Sequence, residues 1–233
     1  MKIALLGYGK MGKEIEKIAL ERGHEIVLKK TEFNDFTGLE NADVAIDFSI
    51  PAVAPENIST CFNTNIPVVS GTTGWLEHYN DMVALCNQKN GAFLYGSNFS
   101  VGVNLFFELN AYLAKLMANI KEYNVSMEEI HHTQKLDAPS GTAISLAEGI
   151  INQTNYEKWT METANENEIY IDAKRIADVP GTHSVFYKST VDEIEIKHTA
   201  FSRQGFALGA VVAAEWIVGK KGIFTMKDVL NLG

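Results

Sequence analysis

Lys2-Ile3-Ala4-Leu5-Leu6-Gly7-Tyr8-Gly9-Lys10-Met11-Gly12 decides how the first half of this 233-residue chain folds. Ile3–Leu6 is a short apolar run that reads as a buried parallel strand and stops at Gly7. From Lys10 to Glu21, Met11, Ile15, Ile18 and Ala19 recur at helical spacing, and Gly23 closes the helix. Glu25–Leu28 is a second strand, so Gly-x-Gly-x-x-Gly sits at the turn of a βαβ unit of about 30 residues. In such a turn the first glycine allows a tight bend and the second lets backbone approach a pyrophosphate. The third lets helix close on strand, while the helix N-terminus offers unpaired N–H groups. Gly7, Tyr8, Gly9, Lys10, Met11 and Gly12 are therefore candidate dinucleotide-binding residues.

Strand and helix keep alternating beyond this unit. Asp43–Phe48, Ile66–Ser70 and Ala92–Tyr95 read as strands, with helices near 53–63 and 75–89. That rhythm predicts a parallel sheet covered on both faces, a Rossmann-like α/β domain. Ligands of open α/β sheets lie beyond the carboxyl ends of the strands. Gly71-Thr72-Thr73-Gly74 and Gly96-Ser97-Asn98-Phe99 occupy such ends, which adds Gly71, Thr72, Thr73, Gly96, Ser97, Asn98 and Phe99 to the candidate cofactor residues. Either turn alone also fits an ordinary loop. The second strand runs into Lys29-Lys30-Thr31, with Glu32 beyond, rather than into the acid that holds a ribose 2′-hydroxyl. Two lysines suit the 2′-phosphate of NADPH, whereas solvated surface lysines leave NADH acceptable. The expected cofactor is NADPH and/or NADH.

Near residue 100 the pattern changes. Leu105, Leu109, Tyr112, Leu113, Leu116 and Ile120 line one face of a long helix. Asn124–His131 reads as a strand, and Pro139-Ser140-Gly141-Thr142 opens a helix to about residue 153. Glu168–Ile176, Ser184–Thr190 and Glu193–Thr199 are further strands, and a helix over Ala207–Val218 precedes a shorter C-terminal one. The second half is thus an α+β domain with an open mixed sheet, mostly antiparallel, and helices on one face.

The totals narrow the function. Hydrophobic residues make up 46% and charged ones 21%, as in an ordinary globular protein. A net charge of −9 argues against general nucleic-acid binding, which needs a basic face. Cys61 and Cys86 lack metal-ligand spacing and read as reduced, buried thiols, so no metal is expected. No apolar stretch approaches the roughly 20 residues that span a bilayer, and no signal-peptide pattern is present. A cytoplasmic protein is the default expectation.

Against that background, His131-His132-Thr133-Gln134-Lys135-Leu136-Asp137-Ala138-Pro139-Ser140-Gly141-Thr142 is conspicuously polar. Two imidazoles at a strand end point to opposite faces. Imidazole transfers protons near neutral pH, and Lys135 adds positive charge or a second donor. Ser140-Gly141-Thr142, at a helix start, presents N–H groups and hydroxyls to an anion, though N-capping alone would also explain it. Together with the glycine turn, this points to a reductase that gives hydride to an anionic substrate while protonating it.

The same twelve residues resemble the signature of the 4-hydroxy-tetrahydrodipicolinate reductase family, of the diaminopimelate route to lysine. Gly71-Thr72-Thr73-Gly74, Asn98-Phe99-Ser100-Val101-Gly102-Val103-Asn104 and the segment His198–Arg203 are similar to that family too, in its order. The resemblance implies reduction of (2S,4S)-4-hydroxy-2,3,4,5-tetrahydrodipicolinate, a cyclic dicarboxylate, to tetrahydrodipicolinate. It implies that His131 is the general acid/base, that Lys135 donates a proton and steadies substrate charge, and that His132, Gly141 and Thr142 bind substrate. It implies a dinucleotide-binding domain of residues 1–101 and 204–233, a substrate-binding and oligomerisation domain of residues 102–203, hinged closure and a homotetramer. The chain departs from that family in a short segment between Thr31 and Asp43 and in its basic second-strand end. Two rival readings share the glycine turn: another two-domain amino-acid or aldose dehydrogenase, and a non-catalytic NAD(P)H sensor. Neither gives a reason for the His-His-x-x-Lys and Ser-Gly-Thr array.

Overall fold

A computed structural model describes residues 1–232. In chain order the elements are β1 (Lys2–Leu6), α1 (Lys10–Glu21), β2 (Glu25–Lys30), β3 (Val44–Asp47), α2 (Ala54–Asn63), β4 (Val68–Ser70), α3 (Tyr79–Gln88) and β5 (Ala92–Tyr95). Then come α4 (Val101–Met117), β6 (Asn124–His131), α5 (Gly141–Ile151), β7 (Lys158–Thr160), β8 (Glu168–Arg175), β9 (Gly181–Lys188) and β10 (Glu193–Ala200). The chain ends with α6 (Gln204–Ile217), β11 (Gly222–Phe224) and α7 (Met226–Leu230). It divides into two compact units, Met1–Val101 with Arg203–Gly233, and Gly102–Ser202.

The first unit is a six-stranded parallel sheet in the order β11-β5-β4-β3-β1-β2. Its strands are apolar on both sides, and period two sorts them. Ile3, Leu5, Val44, Ile46 and Leu94 pack on the side of Ile15, Ile18 and the alanines of α6. Ala4, Leu6, Ala45, Val68 and Phe93 pack on the side of Ile58, Phe62, Trp75 and Cys86. Strand order reverses between β1 and β3, the topological switch point where such sheets bind ligands. Both cysteines are buried and unpaired, and β11 is a strand that the apolar patterning did not predict.

α6 owes its close seat to small residues. A Cβ on Gly209 would lie 1.7 Å from the Phe99 carbonyl oxygen, so the helix touches the 96–99 turn backbone to side. Gly209→Ala is expected to destabilise the protein by about 1–3 kcal/mol, because overpacking there outweighs alanine's better helix propensity. Urea unfolding checks this; a raised midpoint would contradict the packing argument.

The second unit is a five-stranded sheet in the order β10-β9-β6-β8-β7. β10, β9 and β6 pair antiparallel, whereas β6/β8 and β8/β7 pair parallel. The sheet is mixed as expected, but evenly so rather than mostly antiparallel, because β7 lay outside the predicted strands. Val125, Met127, Ile169, Ile171, Val185 and Tyr187 pack against Ala143, Leu146, Ala147 and Ile150 of α5. α4 is apolar on two faces. Leu105, Leu109, Tyr112 and Leu116 share a face as expected, the outward one, each about half exposed, whereas Leu113 packs against the core and Ile120 lies beyond the end of the helix. Val103, Phe106, Asn110 and Ala114 form the buried stripe, with Asn110 Nδ2 donating to the Leu146 carbonyl at 2.9 Å.

Candidate active site

Unit one carries a crevice at the carboxyl ends of β1, β3 and β4. Gly7 holds φ +99°, and a Cβ there would lie 2.3 Å from the Phe48 carbonyl oxygen, so β1 and β3 exit in backbone contact. Gly12 is equally confined, 2.4 Å from the Gly7 carbonyl. Gly9 is different. It is the N-cap of α1, makes no side-chain cap, and a Cβ there would meet nothing within 4 Å. The first N–H groups of α1 are thus left for an incoming anion, and the space a side chain would fill is open. One cavity of about 490 Å³ runs from Gly7, Tyr8 and Gly9 to Lys30–Phe33 and Ile50–Asn57. A second, about 230 Å³, lies among Met11, Phe48, Ser49, Pro51 and Gly71–Thr73. Phe48 and Ser49 line both, so one extended two-part ligand can occupy the pair.

Asp47 organises this crevice and escaped the sequence reading. It is fully buried and accepts hydrogen bonds from Ser49 Oγ (2.7 Å), Asn57 Nδ2 (2.9 Å), Ser70 Oγ and Thr72 Oγ1 (both 2.8 Å). Burial pushes its carboxyl pKa up, against those four donors. Thr72 is therefore spent on holding the turn, and its Oγ1 also accepts the Ser49 N–H at 2.8 Å. Gly71 lacks a side chain because the Phe48 ring would be 2.3 Å from its Cβ. Phe99 is buried against Phe48, with Gly96 packed on its ring. Asn98 Oδ1 accepts the Ser100 N–H at 2.9 Å. Lys10, Thr73 and Ser97 remain exposed. Both lysines at the end of β2 are already engaged. Lys29 pairs with Glu16 at 2.5 Å, and Glu16 also accepts the Tyr8 hydroxyl; Lys30 donates to the Thr31 and Asn34 carbonyls.

Unit two gathers its polar groups at one end of the helix-covered sheet face. Alternation along β6 turns Val125, Met127, Glu129 and His131 inward. Glu129 is registered opposite His183 of β9, and His131 opposite Arg175 of β8, so all four side chains share a face. Glu129 Oε1 accepts from Arg175 Nη1 (3.2 Å) and Nη2 (3.1 Å), and Oε2 accepts the Ser140 N–H at 3.0 Å. His131 Nδ1 lies 3.5 Å and His183 Nε2 3.6 Å from Oε2, and the two imidazoles meet edge to face at 5.0 Å. Arg175 also donates to the Lys135 and Asp137 carbonyls, pinning the loop that carries Lys135. Lys135 Nζ pairs with Asp137 at 2.9 Å.

Ser140 caps α5: its hydroxyl accepts the Ala143 N–H at 3.2 Å and lies 3.0 Å from His183 Nε2. Gly141 stands open beside it, with nothing within 4 Å of a Cβ, and Thr142 follows half-buried. His132, just past the strand end, is half-buried as well. Serine, histidine and glutamate are the residue types of a hydrolytic triad. Here Ser140 and Glu129 both approach Nε2 of His183, so no relay through the ring exists.

Burial is the largest influence on His131 and, with the charges of His183, Lys135 and Arg175, lowers its pKa to about 4, Glu129 opposing. Burial works to raise Glu129, but hydrogen bonds from His183 and Ser140 and the His131 charge together bring it to about 2. Glu129, His131 and His183 are also the one group among the described residues with metal-type donors within 4.8 Å of one another. A guanidinium on Glu129 and the nearby Lys135 ammonium oppose a cation there and suit an anion instead. Glu129, Arg175 and His183 were missed by sequence reading. His183 precedes the predicted Ser184 strand start, and a charged residue inside an alternating strand reads as solvent-facing.

A switch-point crevice with an uncapped helix start, joined in one chain to an α+β unit bearing an acid–imidazole cluster, defines a two-unit oxidoreductase of the dinucleotide-binding class. Residues 1–99 match the family model described as dihydrodipicolinate reductase, N-terminus, and residues 102–230 match its C-terminus counterpart. The chain belongs to the dihydrodipicolinate reductase family. It is 57% identical to a 4-hydroxy-tetrahydrodipicolinate reductase of Christiangramia forsetii, over 99% of this chain and 98% of that one. One from Methanoregula boonei is 35% identical over 90% and 83%. Among solved structures, a dipicolinate-bound dihydrodipicolinate reductase from Paenisporosarcina sp. TG-14 superposes with a TM-score of 0.74 at 22% identity, covering 97% of each chain. An engineered D-amino acid dehydrogenase bound to NADP+ reaches 0.54 at 14% identity, over 97% and 93%, a likeness of fold alone. No helix among the described residues is long and apolar enough to cross a membrane.

Proposed function

We propose that the chain catalyses NAD(P)H-dependent reduction of 4-hydroxy-tetrahydrodipicolinate to tetrahydrodipicolinate in lysine biosynthesis. The near-full-length identity to the Christiangramia forsetii reductase carries this reading, and the two clusters support it chemically. Gly7–Gly12 would hold the pyrophosphate, with Gly71–Thr73 and Gly96–Phe99 shaping the rest of the cofactor crevice. A bound reduced nicotinamide supplies the hydride. His131 and Lys135 are assigned to the proton that the ring takes up as the 4-hydroxyl departs as water, so one substrate, one NAD(P)H and one proton give product, NAD(P)+ and water. The α5 start at Gly141 and Thr142, with His132, is assigned to the substrate carboxylates, fixing ring orientation.

With Lys29 tied to Glu16 and Lys30 to backbone carbonyls, neither lysine is committed to a 2′-phosphate, which supports use of both nucleotides. The half-exposed leucines of α4 support a homotetramer, checked by the solution mass, and cytoplasmic residence accords with the pathway. Steady-state kinetics with the purified cyclic substrate and each nucleotide tests the whole. Turnover with both is expected. Turnover only with another carbonyl substrate would favour a different dehydrogenase, and tight nucleotide binding without turnover would favour a sensor.

A further inference from the structure

Glu129 is out of place by pattern. It stands fully buried between Met127 and His131, in a strand row that begins with the apolar Val125 and Met127, where an unpaired carboxylate would be strongly disfavoured. A salt bridge made only for stability would be satisfied by Arg175, and that pair occupies Oε1 alone. Oε2 faces elsewhere: it takes the N–H of Ser140, the residue that starts α5, and looks onto both imidazoles. His131 Nδ1 is buried and makes no hydrogen bond, 3.5 Å from that oxygen. One carboxylate thus touches the proton-handling strand end and the turn assigned to a substrate carboxylate.

We propose that Glu129 is a positioning residue that sets the charge and ring orientation of His131 and, through the Ser140 N–H, the seat of the Gly141–Thr142 turn. This rests on the reading of His131 as the proton donor. The permanently charged groups facing His131 besides Glu129 are cationic: Arg175 from β8, and Lys135 from the loop, whose own charge is partly offset by Asp137, while the His183 imidazole of β9 stands beside them. Glu129 is the single buried counter-charge among them. Without it, an imidazolium at the buried His131 would face the Arg175 and Lys135 charges with no counter-charge beside it.

Glu129→Gln keeps the shape and an acceptor for Ser140 but removes the charge. NMR titration of the His131 ring and kcat–pH profiles, on the full-length enzyme, are the readouts. In Glu129→Gln the His131 titration is expected to move down by about one pH unit or more, with kcat at neutral pH down about tenfold or more and nucleotide Kd unchanged. Glu129→Asp keeps the charge but draws it back from Ser140; here KM for the dicarboxylate is expected to rise about tenfold while the His131 titration moves less than in the amide variant. An unmoved titration and kcat in the amide variant overturns the proposal, and so does an unchanged KM in the aspartate variant, even should the amide variant fail to fold. His131→Gln separates the two ideas. If that variant is inactive while both Glu129 variants behave as wild type, Glu129 alone is misassigned; if it retains full turnover, the role of His131 itself fails.

Discussion

His131→Gln is expected to lower kcat by about 10²–10⁴-fold, the range for loss of one well-placed acid or base. Glutamine can still hydrogen-bond but neither gives up nor accepts a proton at neutral pH. Nucleotide affinity should hardly change, since the glycine turn belongs to the other compact unit. The pH dependence carries more information than the loss. In the ligand-free protein His131 titrates near pH 4, so at pH 7 it is neutral. Burial depresses it most and its cationic neighbours add to that; a dianionic substrate brings two negative charges against those neighbours, which raises its pKa in the complex. The kcat profile, which reports the complex, should therefore show a higher pKa than the kcat/KM profile, which reports the free enzyme. Identical profiles would mean that substrate charge does not reach His131. Lys135, on the loop that Arg175 pins, then becomes the donor.

The same two groups make the folded state sensitive to acid. His131 is depressed from 6.5 to about 4, so the unfolded chain binds its proton first. Its contribution is complete above about pH 6.5 and declines as pH falls towards 4. Glu129 is depressed from 4.5 to about 2, and its contribution is present above about 4.5 and lost as pH falls through 2. Each costs about 1.4 kcal/mol per pH unit while one proton is being taken up. Urea midpoints measured between pH 7 and pH 3 should fall accordingly, and Glu129→Gln should flatten the lower part of the curve.

What could be read from the residues follows from where local rules and tertiary structure agree. The alternating apolar strands and the glycine turn of unit one report their own surroundings, because a parallel strand is buried on both faces wherever it lies. His131, Lys135 and Gly141–Thr142 were legible because polar chemistry was concentrated in twelve residues. Glu129, Arg175 and His183 were not, since they come together only through the pairing of β6 with β8 and β9. No local pattern marks a buried carboxylate whose partners lie 46 and 54 positions further along. Asp47 hid for a related reason: its four donors come from two strand ends and α2. Helical spacing told that the leucines of α4 share a face but not that this face is the outward one, since spacing carries no information about which face meets the core. Short β7 and β11 carry only three residues each, too few for periodicity to register.

Gly9→Val is expected to leave the fold intact and to weaken binding of both NADH and NADPH by about a hundredfold or more. Gly9 has φ −86° and ψ −151°, an extended backbone with negative φ, and no protein atom lies within 4 Å of its would-be Cβ. Stability should fall by about 1 kcal/mol or less, the cost of replacing glycine at a helix N-cap. Any larger change in behaviour must come from what occupies the open space, and the branched side chain would stand between the pyrophosphate and the α1 N–H groups. A hundredfold loss is about 2.7 kcal/mol, within what a helix start and several backbone donors contribute to an anion. Gly7→Ala is the opposite case and serves as the control. There φ is +99° and the new methyl would collide with the Phe48 carbonyl, so stability itself should suffer, by about 1–3 kcal/mol from backbone strain alone and more from the contact. Calorimetric titration with each nucleotide, beside urea unfolding, separates the two effects. Wild-type affinity in a folded Gly9→Val protein would show that the cofactor does not cross the start of α1.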